Sequence, residues 1–289
     1  MSKQERISLI VTSDNQYSIL LAALLKSVEQ NHKTEELLDV YILEDKISFK
    51  NRSQVQATIN PEITTLHWIN IKDVIPADVK FPIDNTAFPL TCLYRIFAPH
   101  ALPANLGRVI YLDADMIVLE DISKLWHTDI GNNTIAAVKD VISTVSCAWG
   151  GISNYKELGI PADTKYFNSG LLLIDMKRWR AEDVTEKVLN FMHQNIEFLN
   201  YPDQYGLNGV LYKTWYELDE RWNWFAQFKH SAPYIIHFLH VKPIFKDPYQ
   251  TKFLKTSYCA LPEFKAEFYR YLVLTPWKNY KPVSYYNLL

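Results

Sequence analysis

The sequence predicts an α/β fold with a mostly parallel central sheet flanked by helices. Three observations lead there. Short apolar, β-branched runs alternate with helix-period stretches through the first third of the chain; a run that reads as a buried strand stands near mid-chain at Arg108–Leu112; and no linker, repeat or low-complexity tract divides the 289 residues. Alternation of this kind suits parallel strands, because the chain must cross back over the sheet between one strand and the next.

Ile7–Thr12 is the first strand, and the polar break at 13–16 opens a helix over about 17–29. Val40–Leu43 repeats the strand signal, 50–59 reads as a helix, and Ile63–Ile71 alternates apolar and polar residues like a third strand. After a loop carrying Pro76, Pro82 and Pro89, a helix at 91–97 is expected to stop at Pro99, whose ring opposes continuation. Two later runs, Ile135–Val141 and Phe167–Ile174, continue the sheet, and Glu182–Phe198 has helical spacing. The last third is irregular and aromatic, with Trp215, Trp222, Trp224, Phe225 and Phe228 ahead of a strand at Tyr234–Phe238 and a final helix at about 262–271. One continuous sheet with a modified C-terminal portion fits better than two separable domains.

Composition excludes several function classes. Hydrophobic residues make up 48% and charged residues 21%, which supports a globular core. Only eight glycines occur, and none is spaced as G-x-G-x-x-G or as a P-loop, so a nucleotide held in a glycine cradle is excluded. Thirty basic against 32 acidic residues disfavours a surface that tracks nucleic-acid phosphates. The longest apolar run, Ile19–Leu25, falls far short of the ~18 residues of a spanning helix, and Met1–Arg6 lead directly into a strand, so neither span nor leader is expected. Cys92, Cys147 and Cys259 are odd in number and scattered, which argues for a cytoplasmic chain without disulfides or a zinc site.

Asp113-Ala114-Asp115 follows directly on Arg108–Leu112. With 17 aspartates in the chain a D-x-D pair arises about once by chance, so its position is what informs. Side chains at i and i+2 of an extended segment share a face, which would bring both carboxylates together at the C-terminal edge of the sheet, where open α/β folds place ligands. Two hard oxygen donors there suit Mg²⁺ or Mn²⁺ with phosphate oxygens. Solvated turn residues would give the same pattern.

The segment Val109–Val118 resembles the metal-binding D-x-D segment of glycosyltransferase family 8, the retaining GT-A enzymes that include bacterial lipopolysaccharide galactosyl- and glucosyltransferases and glycogenin. Further segments follow in the family's order: Ile10–Tyr17 is similar to its uridine-binding entry, and Tyr94-Arg95 precede the D-x-D strand. Phe167–Leu172 is similar to its N-[AS]-G strand, Pro202-Asp203-Gln204 to its D-Q helix start, and His237-Phe238 with Lys242-Pro243 to its H-x-x-G-x-x-K-P block. The resemblance implies a GT-A fold with a Rossmann-like nucleotide-binding half and an irregular acceptor side. It places the catalytic domain at 1–245 and leaves 246–289 as a helical, aromatic extension packed on it.

It further implies a hexosyltransferase that moves glucose or galactose from UDP-glucose or UDP-galactose to a saccharide, lipid-linked or protein acceptor, with retention. Asp113, Asp115 and His237 would ligate Mn²⁺ (or Mg²⁺), and Lys242 would hold the departing diphosphate. Asp14 would bond the uracil or ribose and Tyr17 would stack on the base, although Asp14 could equally cap the helix that follows. Arg95 would reach sugar or phosphate, Ala114 and Ser169 would line the donor, and Asn168 and Asp203 would read sugar hydroxyls. Gln204 would lie nearest the anomeric carbon, and so poor a nucleophile favours attack from the leaving-group face over the double displacement of retaining glycosidases.

The chain departs from the family pattern at His240, which stands where the family has glycine, in a block one residue shorter before Lys242-Pro243 that ends in Ile244-Phe245 rather than tryptophan. Glycine there would allow a positive φ; His240 instead would donate to phosphate or sit in a rebuilt loop. Two other classes remain: a non-catalytic UDP-sugar-binding partner protein, and a haloacid-dehalogenase-like phosphatase with Asp113 as nucleophile and Asp115 as acid. The tail Trp277–Lys281 mixes aromatic and basic residues and could touch the inner face of a membrane near a lipid-linked acceptor, but two lysines contribute only about 1 kcal/mol each, and a packed tail is the stronger expectation.

Overall fold

The apolar run that opens the chain forms β1 (Arg6–Asp14), and it lies inside a sheet with both faces covered: Ile7, Leu9, Ile10 and Val11 are at most 1% exposed. A strand buried on both faces must be apolar almost throughout, so this one shows no polar alternation. The computed structural model describes residues 5–76, 79, 81, 82, 90–246 and 259–284; Pro89 of the proline loop lies outside them.

Beside β1 lie β2 (Leu37–Asp45) and β3 (Thr64–Asn70) on one side and β4 (Arg108–Asp113) on the other, all parallel. After a short β5 (Met116–Val118), the sheet is extended by β6 (Ile135–Thr144), β7 (Lys165–Asp175) and β8 (Trp215–Glu217), giving the order β3-β2-β1-β4-β7-β6-β8. The strand β7 runs antiparallel to both β4 and β6. Chain order reverses between β1 and β4, and such a switch point opens a crevice at the carboxyl ends of the strands.

Helices cover both faces: α1 (Ser18–Asn31) and α2 (Phe49–Gln56) follow β1 and β2; then come α3 (Ala98–Ala101), α4 (Ile122–Trp126), α5 (Met176–Ala181), α6 (Val184–Gln194) and α7 (Pro202–Leu211). One core packs Tyr166, Phe167, Trp179 and Tyr205 on one face of the sheet; the other packs Leu21, Leu24, Leu25 and Val28 of α1 on the opposite face. The strands β9 (Trp224–Phe225) and β10 (Ile235–His237) join β5 in a separate small sheet. A last pair, β11 (Phe245–Lys246) and β12 (Val283–Ser284), frames α8 (Pro262–Leu272). Phe264, Phe268, Tyr271 and Leu272 of α8 pack with Leu20 and Ala23, and Asn31 Nδ2 donates 2.8 Å to Tyr271 Oη.

Most expected elements are present, with three differences among helices and strands. Residues 90–97 form a 3-10 helix, and Pro99 does not stop it but sits in the first turn of α3, where no donor N–H is needed. The helix expected to run to Phe198 ends at Gln194, because Asn195 turns its side chain back onto Phe191 O and accepts from Asn154. The strand at Tyr234–Phe238 shortens to β10 and leaves the main sheet for the small one. The tail turns inward: Trp277 packs on the core and Tyr280 Oη donates 3.0 Å to Ile244 O. Among the described residues no helix is long and apolar enough to cross a membrane.

The turn after β6 is closed by Gly151, where an added Cβ would lie 2.2 Å from Val145 O and 2.8 Å from Cys147 O. Its own carbonyl accepts from Asn200 Nδ2 at 3.1 Å, tying this turn to the start of α7. Gly107, by contrast, has nothing nearer than Lys177 Cε at 3.8 Å. Gly151→Ala is therefore expected to destabilise the fold by about 1–3 kcal/mol, seen as a lower thermal midpoint. Gly107→Ala should leave that midpoint unchanged or slightly raised, by less than ~1 kcal/mol.

Candidate active site

The two carboxylates of the D-x-D pair do converge, but by a turn rather than by strand alternation. Asp113 ends β4, while Ala114 and Asp115 form the turn into β5. Pairing of β5 with β10 sets Met116 opposite His237, and Phe238 N donates 2.9 Å to Asp115 O, so the imidazole arrives beside the second carboxylate. His237 Nε2 lies 3.3 Å from Asp115 Oδ1 and 3.7 Å from Asp113 Oδ2. The three side chains offer ligand atoms all within 4.8 Å of one another.

This cluster depends on a missing side chain. Antiparallel pairing of β4 with β7 brings Gly170 alongside Asp113, and a Cβ there would lie 2.5 Å from His237 Cε1, 2.8 Å from Asp113 Oδ2 and 3.0 Å from Asn168 Oδ1. Glycine is required by the close approach of the three side chains.

Cations hold the carboxylates in place. Arg95, on the 3-10 helix 90–97 and only 6% exposed, sets Nη2 2.9 Å from Asp113 Oδ1 and Nε 3.1 Å from Asp203 Oδ2. Its Nη1 donates 2.5 Å to Ser169 O, and its guanidinium stacks 4.8 Å from the Tyr111 ring. Burial opposes its charge, yet Asp113, Tyr111 and Asp203 hold its pKa well above the ordinary value. Tyr111 Oη donates 2.7 Å to Asp113 Oδ1 and lies 3.1 Å from Thr12 Oγ1.

Lys242 Nζ pairs with Asp115 Oδ2 and donates 3.0 Å to Phe238 O. Burial alone would raise the Asp115 pKa, but Lys242 and His237 overcome it and hold that carboxyl well below the carboxylate range; the same pair raises the Lys242 pKa against its own burial. Asp115 is thus an anion and Lys242 a cation at any physiological pH.

The second half of the site is an amide network at the start of α7. Ser169 Oγ donates 2.8 Å to Asp203 Oδ2. Gln204 Oε1 accepts from Ser169 N at 3.0 Å and from Asn168 Nδ2 at 3.1 Å, and Asn168 Nδ2 also reaches Asp140 Oδ2 at 2.8 Å. Burial raises the Asp203 pKa in spite of Arg95 and Ser169.

At the end of β1, Asp14 Oδ1 accepts from Gln16 N and Tyr17 N, both at 2.9 Å, and so closes the turn that leads into α1, whose own N-cap is Tyr17 without a side-chain cap. The Tyr17 phenol is pushed up to about 12 chiefly by burial, and it feels Lys242, Asp115 and Asp14, which places it at the same rim. Ala114 is buried at 6% between the carboxylates. His240 adopts φ 58°, the left-handed conformation that the family's glycine would take; histidine is among the residues that tolerate this region.

The structure therefore gathers Asp113, Asp115, His237, Lys242, Arg95, Asn168, Ser169, Asp203 and Gln204 into one contiguous network, with Asp14, Tyr17 and His240 at its edge. Sequence reasoning missed Asp140, Tyr111 and Asn223. Asn223 had a signal, a lone amide inside the aromatic run Trp222-Asn223-Trp224, since a polar group buried among apolar neighbours must have a partner.

Known proteins resemble the chain along its length. The profile of glycosyl transferase family 8 matches residues 8–245. General stress protein A of Bacillus subtilis (strain 168) is 34% identical over 229 residues, 77% of this chain and 75% of that protein. A lipopolysaccharide 1,2-glucosyltransferase of Escherichia coli (strain K12) is 36% identical over 118 residues, 41% of this chain and 33% of the relative. Among solved structures, galactosyltransferase LgtC, in complex with donor and acceptor sugar analogues, superposes with a TM-score of 0.76 at 23% identity over 95% of this chain and 100% of its own. That likeness establishes the GT-A fold. With the family profile covering the whole network of buried charges and amides described above, the chain belongs to glycosyl transferase family 8 and is a glycosyltransferase.

Proposed function

We propose that the protein is a retaining hexosyltransferase that takes glucose or galactose from a UDP-sugar with the help of Mn²⁺, or Mg²⁺ in its place. The observation that carries the reading is the Asp113–Asp115–His237 cluster, with Lys242 against it and the Asn168–Asp203–Gln204 amides behind it. The donor set fits a first-row divalent ion: two carboxylates and one imidazole, softer than an all-oxygen Mg²⁺ site. Gly170 leaves the space in which they meet. A divalent ion there would neutralise charge on the departing diphosphate as a Lewis acid. The choice between glucose and galactose follows the names of relatives, a glucosyltransferase and a galactosyltransferase.

The chain's own residues would do the rest. Lys242, a fixed point charge, exchanges its bond to Asp115 for the β-phosphate and stabilises the leaving group. Asp14 and Tyr17 hold the uridine, Ala114 and Ser169 line the donor, and Asn168, Asp203 and Arg95 orient the hexose. His240 faces the diphosphate from a loop kept in the left-handed conformation. Residues 1–245 would carry this chemistry, and the chain from 246 on would be an extension to it, of which 259–284 are described.

Retention is read as same-face attack. The anomeric carbon loses its bond to the β-phosphate oxygen and gains one to the acceptor hydroxyl, whose proton passes to that departing oxygen. No buried carboxylate in the network is poised for double displacement. Asp203 is engaged by Arg95 and Ser169, and Asp140 by Asn168 and Ile142 N. Gln204 Oε1 already accepts two hydrogen bonds, which draws electron density from it. The acceptor is a hydroxyl of a saccharide, a lipid-linked sugar or a protein.

Hydrolysis of UDP-glucose and UDP-galactose, followed as UDP release, is expected to need Mn²⁺ and to fall by about 10²–10³-fold in Asp115→Ala and in Lys242→Ala; hydrolysis undiminished in Asp115→Ala contradicts the metal assignment. Binding of UDP and Mn²⁺ without any turnover would instead favour a non-catalytic binding protein, and a trapped phosphoaspartate at Asp113 a phosphatase.

Gln204→Ala should lower turnover sharply without abolishing it, in the range of about 10²-fold for loss of one preorganised dipole. Mass-spectrometric capture of a hexosyl-Gln204 adduct during turnover would contradict same-face attack.

A further inference from the structure

The polar contacts of His237 continue on the side away from the carboxylates. Its Nδ1 lies 2.9 Å from Asn223 Oδ1, and Asn223 Nδ2 donates 2.8 Å to Asn168 Oδ1. Asn168 Oδ1 also accepts from Gly170 N at 3.0 Å, while Asn168 Nδ2 donates to Asp140 Oδ2 and Gln204 Oε1. All of these side chains are buried, Asn223 at 4% exposure and His237 at 2%.

The orientation of each amide follows from one fixed donor. The Gly170 N–H can only donate, so the atom of Asn168 that faces it is oxygen. That oxygen then requires the NH₂ of Asn223, which turns the Asn223 oxygen toward His237 Nδ1. An amide oxygen only accepts, so the proton of the imidazole stays on Nδ1 and Nε2 is the nitrogen presented to Asp113 and Asp115. Reversing any member would set acceptor against acceptor or donor against donor in a water-poor interior, which is penalised. Asn223 itself is held by the backbone: it ends the 3-10 segment Glu220–Asn223, and the next residues pair with β10 in the register Trp224–Ile236 and Phe225–His237.

We propose that Asn223 is a positioning residue that fixes the His237 tautomer for a divalent cation and, through the same amide, holds Asn168 against Asp140 and Gln204. The inference rests on the metal reading given under Proposed function. Its consequence is that the cation side and the sugar side of the site share one side chain. A variant that keeps only one of the two bonds should damage only one side. Asp at 223 can accept from Nδ1–H but cannot donate to Asn168; Leu, of similar size, does neither.

Mn²⁺ binding to the full chain, read by electron paramagnetic resonance of the free ion, tests this together with the KM for UDP-hexose hydrolysis. Asn223→Leu is expected to bind Mn²⁺ about 10–100-fold more weakly and to raise the KM. Asn223→Asp is expected to recover Mn²⁺ affinity to within about threefold of wild type while its KM stays raised, a split that mere loss of packing would not produce. Wild-type Mn²⁺ affinity in Asn223→Leu, or equal losses of Mn²⁺ affinity in both variants, would overturn the proposal. If Asn223→Leu does not fold, Asn223→Asp decides alone: loss of Mn²⁺ affinity by tenfold or more (about 10-fold) overturns it. Asp115→Ala separates this from failure of the metal reading. Wild-type protein that binds no Mn²⁺ overturns the metal site itself, whereas binding lost in Asp115→Ala but intact in Asn223→Leu overturns only the role of Asn223.

Discussion

Two carboxylates side by side, Asp115 buried and Asp113 half-buried, are the constraint around which this fold is arranged. Asp113 and Asp115 meet where β4 turns into β5, and ionised groups withdrawn from water are tolerated only with partners of opposite charge. Arg95 answers Asp113, Lys242 answers Asp115, and His237 stands between them. Each partner comes from a different element: a 3-10 helix, a loop after β10, and β10 itself. The site therefore exists only when the main sheet, the small sheet and the helices are all assembled.

The antiparallel strand β7 is what makes the two halves of the site one. Inserted beside β4, it brings Gly170 next to Asp113 and carries Asn168 and Ser169 to the same edge. From there Ser169 reaches Asp203, and Asn168 reaches Gln204 and Asn223. Charge is handled on the β4–β5–β10 side and hydroxyl-sized polar contacts on the α7 side. A transferase that works on nucleotide sugars needs both, because the bond that breaks lies between a sugar and a phosphate. In the loop after β10, His240 holds a positive φ that glycine would hold with less strain.

Much of this was legible in the sequence, and the parts that were not have physical reasons. The parallel strands β1, β2 and β4 announce themselves as near-continuous apolar runs because both their faces are covered, and the edge strand β3 by alternation. The D-x-D pair at the end of one of them marks the edge where ligands bind. The convergence of Asp113 and Asp115 came through a turn, which alternation along a strand does not predict. The direction of β7 was not legible, since the same apolar run serves a parallel or an antiparallel neighbour. Nor was the departure of β10 to a second sheet, which depends on its pairing with the three residues of β5. Nothing in the local spacing marks Arg95 as buried, yet it is 6% exposed and pairs with Asp113, Asp203 and Ser169. Asp140 acts through bonds made across the fold, which local spacing does not show, and the trace of Asn223 is only an amide set between two tryptophans.

The most direct measurement is a crystal structure of the full chain with UDP and Mn²⁺. The ion is expected on Asp113, Asp115 and His237 Nε2, with Lys242 released from Asp115 and bonded to the β-phosphate. An ion elsewhere, or a diphosphate bound while Lys242 remains on Asp115, would contradict the site as assigned.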